Sequence, residues 1–75
     1  ISVYPNPASD FIQIKLTDPI SFGKAMLFDL SGKLVLTENF ESNEFSMNVQ
    51  SIPAGSYYLR VTDGQHQYFN HFVKK

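Results

Sequence analysis

The sequence predicts an all-β fold of seven short antiparallel strands and no helix, a sandwich or a barrel, and three observations carry that prediction. Apolar residues recur with a period of two rather than about 3.6, so that Ile12, Ile14 and Leu16 share one face of the run Phe11 to Leu16. Turn-forming residues at Gly23, Ser31-Gly32, Asn43, Pro53-Ala54-Gly55 and Asp63-Gly64 punctuate the chain every 9 to 12 residues. The β-branched and aromatic residues sit between these points, where a pleated, half-buried surface favours them.

The first strand, Ile1 to Tyr4, reads as an edge strand that stops at Tyr4-Pro5-Asn6-Pro7. Each proline fixes φ, removes an N–H and pushes its predecessor towards extended geometry, so this tetrapeptide forms a rigid elbow. Ala8-Ser9-Asp10 completes the turn into the second strand, with Asn6, Ser9 or Asp10 available to cap backbone groups. The third and fourth runs, Lys24 to Leu30 and Lys33 to Glu38, flank Ser31-Gly32, which reads as a two-residue hairpin needing positive φ. Asp29, just before it, is placed to bond the hairpin's backbone N–H groups; a calcium ligand there has no loop motif to support it. Glu41-Ser42-Asn43-Glu44 is an exposed connector to the fifth run, Glu44 to Val49. In the sixth, Ser56 to Asp63, alternation points Tyr57, Leu59 and Val61 inwards and Tyr58, Arg60 and Thr62 outwards. Asp63-Gly64 then reads as a second two-residue hairpin into the last run, His66 to Val73. There the alternation is imperfect and does not say which face is buried.

At 75 residues the chain is expected to form one small domain, spanning 1–75, and 43% hydrophobic against 17% charged residues is the balance of a packed core. Most of the seven phenylalanines and four tyrosines are expected inside it. A net charge of −1 with interspersed signs makes nucleic acid and anionic lipid poor partners. The absence of cysteine excludes a disulfide framework and thiolate zinc sites. A start at Ile1 without methionine suggests a piece of something longer.

Chemistry is hard to find. His66 and His71 are five residues apart, which on a continuous strand puts them on opposite faces, so they cannot jointly hold a metal. The carboxylates Asp10, Asp18, Glu38, Glu41, Glu44 and Asp63 mostly flank turns, and no spacing forces a pair together for acid–base work. The four glycines stand singly, without a phosphate-cradling loop or nucleophile elbow. Accordingly no catalytic residue, cofactor, metal or small-molecule substrate is expected. Tyr4, Tyr58 and Tyr68 are candidates for exposure, and exposed tyrosines on one face could stack on sugar rings or a protein partner.

An ordered set of motifs remains: Tyr4-Pro5-Asn6-Pro7-Ala8, the strand Phe11 to Leu16, Phe28-Asp29-Leu30-Ser31-Gly32-Lys33-Leu34-Val35, Ile52-Pro53-Ala54-Gly55-Ser56-Tyr57-Tyr58-Leu59, and Phe72-Val73-Lys74-Lys75. In this order it resembles the type A C-terminal sorting domains of the type IX (Por) secretion system, over essentially the whole chain. The resemblance implies a seven-stranded immunoglobulin-like β-sandwich that acts as an address label and is not an enzyme. It implies a cargo domain preceding it, an outer-membrane translocon that recognises it, and a surface sortase-type cysteine peptidase that removes it. The cargo would pass through the periplasm of a Gram-negative bacterium to the cell surface or medium. Tyr4, Pro5, Asn6, Pro7, Gly32, Lys33, Gly55, Tyr57, Lys74 and Lys75 correspond to the family's motifs and are the candidates for translocon recognition. His71 stands where family members often carry lysine. The rival readings are an immunoglobulin-like carbohydrate-binding or adhesive module and a structural spacer beside a secreted enzyme.

Overall fold

In the computed structural model, which describes residues 1–17 and 22–75, strand alternation becomes two facing sheets. Asp18, read above as a turn-flanking carboxylate, lies outside the described residues. The strands are β1 (Ser2–Tyr4), β2 (Phe11–Lys15), β3 (Gly23–Phe28), β4 (Leu34–Phe40), β5 (Glu44–Asn48), β6 (Gly55–Thr62) and β7 (Gln67–Lys74), with no helix among the described residues. One sheet has the order β1-β2-β5 and the other β4-β3-β6-β7, every pairing antiparallel. Three strands facing four is the layering of an immunoglobulin-like sandwich.

The predicted core faces are the observed ones. Ile12, Ile14 and Leu16 are buried, as are Tyr57, Leu59 and Val61, while Tyr58 turns outwards. Each such aliphatic side chain contributes about 1.5–3 kcal/mol when removed from water. Arg60 and Thr62 share Tyr58's face but are half-buried, Arg60 being flanked by Met26 on β3 and Phe69 on β7. In β7 the inward set is Tyr68, Asn70 and Phe72, and Phe69 and His71 are exposed. His66 lies in the turn before β7 rather than on it.

The aromatic residues depart from expectation. Only Phe40, Tyr57 and Phe72 are buried, whereas Tyr4, Phe11, Phe22, Tyr58 and Phe69 are exposed. The inward positions of β2, β3 and β6 are taken by Ile12, Ile14, Ala25, Leu27, Leu59 and Val61, so most rings fall on outward parity or at strand ends.

Both hairpins join the strands expected, β3 to β4 and β6 to β7, but their turns differ from the two-residue readings. Asp29 N–H donates to the Lys33 carbonyl and Gly32 N–H to the Asp29 carbonyl, each at 3.0 Å, which encloses three residues, Leu30 to Gly32. Gly32, at φ 89°, is the left-handed residue that ends such a loop, and Val35 is the extra residue of a bulge opposite Leu27 and Phe28. Nothing lies within 4 Å of a Cβ built on Gly32, so a side chain there meets only the backbone penalty. Gly32→Val is therefore expected to destabilise by about 1 kcal/mol or more, read from urea unfolding. An unchanged midpoint would contradict this turn geometry. In the second hairpin Asp63 and His66 close the turn, and Gly64 and Gln65 are its central residues, with φ 97° at Gly64. The predicted pair is thus displaced by one residue, because Asp63 is used as the closing position.

Candidate functional site

The strand registers sort the loops between the two ends of the sandwich. Phe28 pairs with Tyr58 and Gly55 with Lys74, so the β3–β4 hairpin, the start of β6 and the finish of β7 share one end of their sheet. In the other sheet Tyr4 pairs with Gln13 and Phe11 with Asn48, which brings the 5–10 elbow to that same end. All ten residues singled out from the sequence, Tyr4, Pro5, Asn6, Pro7, Gly32, Lys33, Gly55, Tyr57, Lys74 and Lys75, are therefore gathered there. Ile1 and the 41–43 and 63–66 loops occupy the opposite end.

The first and last motifs are hydrogen-bonded to each other. The Val73 N–H donates to Asn6 Oδ1 at 2.9 Å, the Ala8 N–H to the Val73 carbonyl at 2.8 Å, and the Lys75 N–H to the Ala8 carbonyl at 2.7 Å. Ala8 and Lys74 form a parallel bridge, so the elbow continues the four-stranded sheet for one step beyond β7. Both X-Pro bonds of the elbow, Tyr4-Pro5 and Asn6-Pro7, are cis. Ala8 is fully buried beneath this clasp. Of the three capping candidates, Asn6 caps, but its target is a residue 67 positions away rather than its own turn. Asp10 contributes through its backbone, accepting the Val49 N–H.

Tyr57 anchors the same end from inside. Its hydroxyl donates to the Pro53 carbonyl at 2.6 Å, four residues upstream, the arrangement called a tyrosine corner in immunoglobulin-like domains, and its ring stacks on Phe72 at 5.7 Å. Tyr57 is thus a support and not a surface group, whereas Lys33 and Lys75 are exposed and Tyr4 is 46% exposed. The β3–β4 tip is held by Asp29, whose carboxylate accepts the Ser31 hydroxyl and the Ser31 and Lys33 N–H groups at 2.6, 2.9 and 3.0 Å. The Ser31 hydroxyl, and then the Lys33 N–H, hold the Asp29 carboxyl below its usual range. Asp29 therefore does what its position before the hairpin predicted.

At the opposite end Asp63 accepts the backbone N–H groups of His66 and Gln65, which lower its pKa to about 2, and its second oxygen meets His66 Nδ1 at 3.2 Å. Depression in the folded state means that this carboxylate stabilises the fold above the unfolded pKa near 3.8, and that the contribution disappears as pH falls from there towards 2. Acid titration should show a loss of stability over that window, diminished in Asp63→Asn. An identical pH profile for both chains would refute the assignment.

The tyrosines do not form a platform. Tyr58 lies on the outer face of the four-stranded sheet beside His71, at 5.8 Å between ring centroids, Tyr68 is half-buried on the inner face, and Tyr4 belongs to the other sheet. Among the described residues no three His, Cys, Asp or Glu side chains gather as metal ligands would.

Two partners in the clasp carry no signal in the sequence. Ala8 and Val73 are apolar residues whose backbones make the clasp, and nothing in their side chains marks a bond across the whole chain. A family model described as "Secretion system C-terminal sorting domain" matches residues 2–75. No curated protein matches the chain.

Proposed function

The chain belongs to the type IX secretion-system C-terminal sorting domains, and on that premise we propose that residues 1–75 form one such domain whose clasped end is the face the outer-membrane translocon reads. Domains of this family are sorting signals for type IX secretion and the family is not an enzymatic one. The observation that carries the proposal is the bonding of Asn6 and Ala8 to Val73 and Lys75, which makes one element of the motifs at the two extremes of the chain. A receptor that reads this element reads a folded, complete domain, because neither extreme holds the geometry alone.

In this reading Tyr4, Pro5, Asn6 and Pro7 shape the surface, Lys33, Lys74 and Lys75 supply its positive charge, and Gly32 and Gly55 set the backbone around it. Tyr57 acts as the internal brace. The cargo precedes Ile1 and therefore joins at the end of the sandwich opposite the clasp. The remaining route follows the family: passage through the periplasm of a Gram-negative bacterium, translocation, and removal by a surface sortase-type cysteine peptidase.

The test fuses residues 1–75 to a fluorescent periplasmic protein in a bacterium that has the system. Export to the surface or medium is expected, together with retention in the periplasm when Lys33, Lys74 and Lys75 are all replaced by glutamate in a chain that still folds. Equal export of the triple variant would sink the docking end, while retention of the unmodified fusion would sink the sorting role.

A further inference from the structure

A four-stranded sheet has two edges and a three-stranded one two more, and these four edges are not equally covered. The outer edge of β7 is engaged by the clasp at Val73, and its His71 N–H is capped by Asn70 Oδ1 at 2.7 Å. β1 is three residues long. On β5, the bonds Val49 N–H to Asp10 and Leu16 N–H to Asn43 leave Glu44, Ser46 and Asn48 directed outwards, and the Glu44 N–H is met by the Ser42 hydroxyl.

β4 is different. Antiparallel ladders alternate bonded and non-bonded pairs, so orientation can be carried across the sheet from one bond. Asp63 bonds His66, hence Val61 and Leu59 face β7; Thr62 and Arg60 face β3, and their partners Lys24 and Met26 face β6. Ala25 must then face β4 with its partner Glu38, which directs the N–H and C=O groups of both Thr37 and Asn39 to the open side. No bond from any other described residue reaches these four groups. Beside them a cleft of about 390 Å³ opens between the edges of the two sheets, floored by the parallel rings of Phe40 and Phe45 at 4.4 Å. Glu38 and Glu41 line this cleft and no cation does. Lys24 lines a second hollow with Thr37, Glu38 and Asn39, and no ion pair joins it to Glu38 among the described residues.

We propose that β4 is a strand-addition edge, whose occupant is an extended segment of another polypeptide carrying lysine or arginine towards Glu38 and Glu41. Thr37 and Asn39 supply the ladder, the Phe40–Phe45 floor takes an apolar side chain, and the two glutamates select the basic one. A second copy of this chain is the wrong occupant, since the antiparallel β4–β4 register that pairs Thr37 with Asn39 sets Glu38 opposite Glu38. The site is separate from the clasped end, because the Lys24–Asn39 pair lies towards the far end of the sheet.

The test titrates the ¹⁵N-labelled chain with an extended peptide of about seven residues, Thr-Lys-Thr-Val-Thr-Lys-Thr, which sets lysine and valine on one face. Matched peptides carry glutamate for lysine, or a central proline. The lysine peptide is expected to slow amide exchange at Thr37 and Asn39 by about tenfold or more, with neither control doing so. Glu38→Lys should abolish that protection. Thr37→Pro removes only an outward N–H, so it should fold and lose binding. Protection confined to β5 or β7, protection at no strand, equal protection by the glutamate peptide, undiminished Asn39 protection in folded Thr37→Pro, or pairing of Thr37 and Asn39 between copies would each overturn the proposal.

Discussion

Phe72→Ala is expected to leave the chain largely unfolded at room temperature. Phe72 is fully buried, is among the largest side chains to be so, and stacks on Tyr57, whose hydroxyl closes the corner to Pro53. Truncating a buried phenylalanine costs about 3–5 kcal/mol through lost transfer energy and the cavity left behind. A domain of this size holds on the order of 5 kcal/mol in total, so most of its stability would go. The effect should spread, because the cavity would open beneath the β7 end to which Asn6 and Ala8 are bonded. Phe69→Ala is the control three positions away: Phe69 is 66% exposed, so its removal should change stability by less than about 0.5 kcal/mol. Urea midpoints decide between them, and similar losses for both would mean that the inward face of β7 has been misassigned.

Gly23→Ala is expected to cost about 2–3 kcal/mol, more than Gly32→Val, for a different reason. A Cβ at Gly23 would overlap the carbonyl oxygen of Thr62 and touch the tip of the Phe40 ring at 3.0 Å. Thr62 cannot retreat cheaply, since its backbone is paired with Lys24 on one side and Gln67 on the other. With about 4–8 °C of midpoint lost per kcal/mol in a domain this small, thermal unfolding should move down by roughly 10–20 °C. A shift no larger than that of Gly32→Val would show that β3 and β6 can separate at this corner without penalty.

These two positions were unequally legible beforehand. Gly23 announced itself only as punctuation between runs, and its close approach to Thr62 depends on a strand 32 residues further along. Phe72 sat in a run whose alternation was ambiguous, because Phe69, Phe72 and Val73 are apolar on both parities. Pairing with β6 resolves it: Tyr57 opposite Phe72 and Val61 opposite Tyr68 draw that parity inwards. By contrast, Asp29 could be placed from sequence, since its bonds to Ser31 and Lys33 span at most four residues. Its turn is one residue longer than the sequence predicts, because a three-residue loop and a two-residue loop with glycine look alike until the closing bond is known.

The same division runs through the site. Motif order placed the chain among sorting domains, and each motif's local geometry, from the elbow's prolines to the positive φ of Gly32, follows from residue type. No motif states that the elbow bonds the last strand, that Ile1 and Lys75 lie at opposite ends, or that β4 presents an open edge beside an acidic cleft.

Residue type and spacing alone therefore dictate the all-β class, the seven strands, the faces of β2 and β6 and the hairpin partners, because a period of two and turn chemistry act over a few residues. The division of the strands into sheets of three and four, the buried face of β7 and the meeting of Asn6 with Val73 emerge only when the chain folds. Those outcomes depend on which surfaces can be buried together and which backbone groups then find partners, quantities that exist only when residues far apart in the chain are brought into contact.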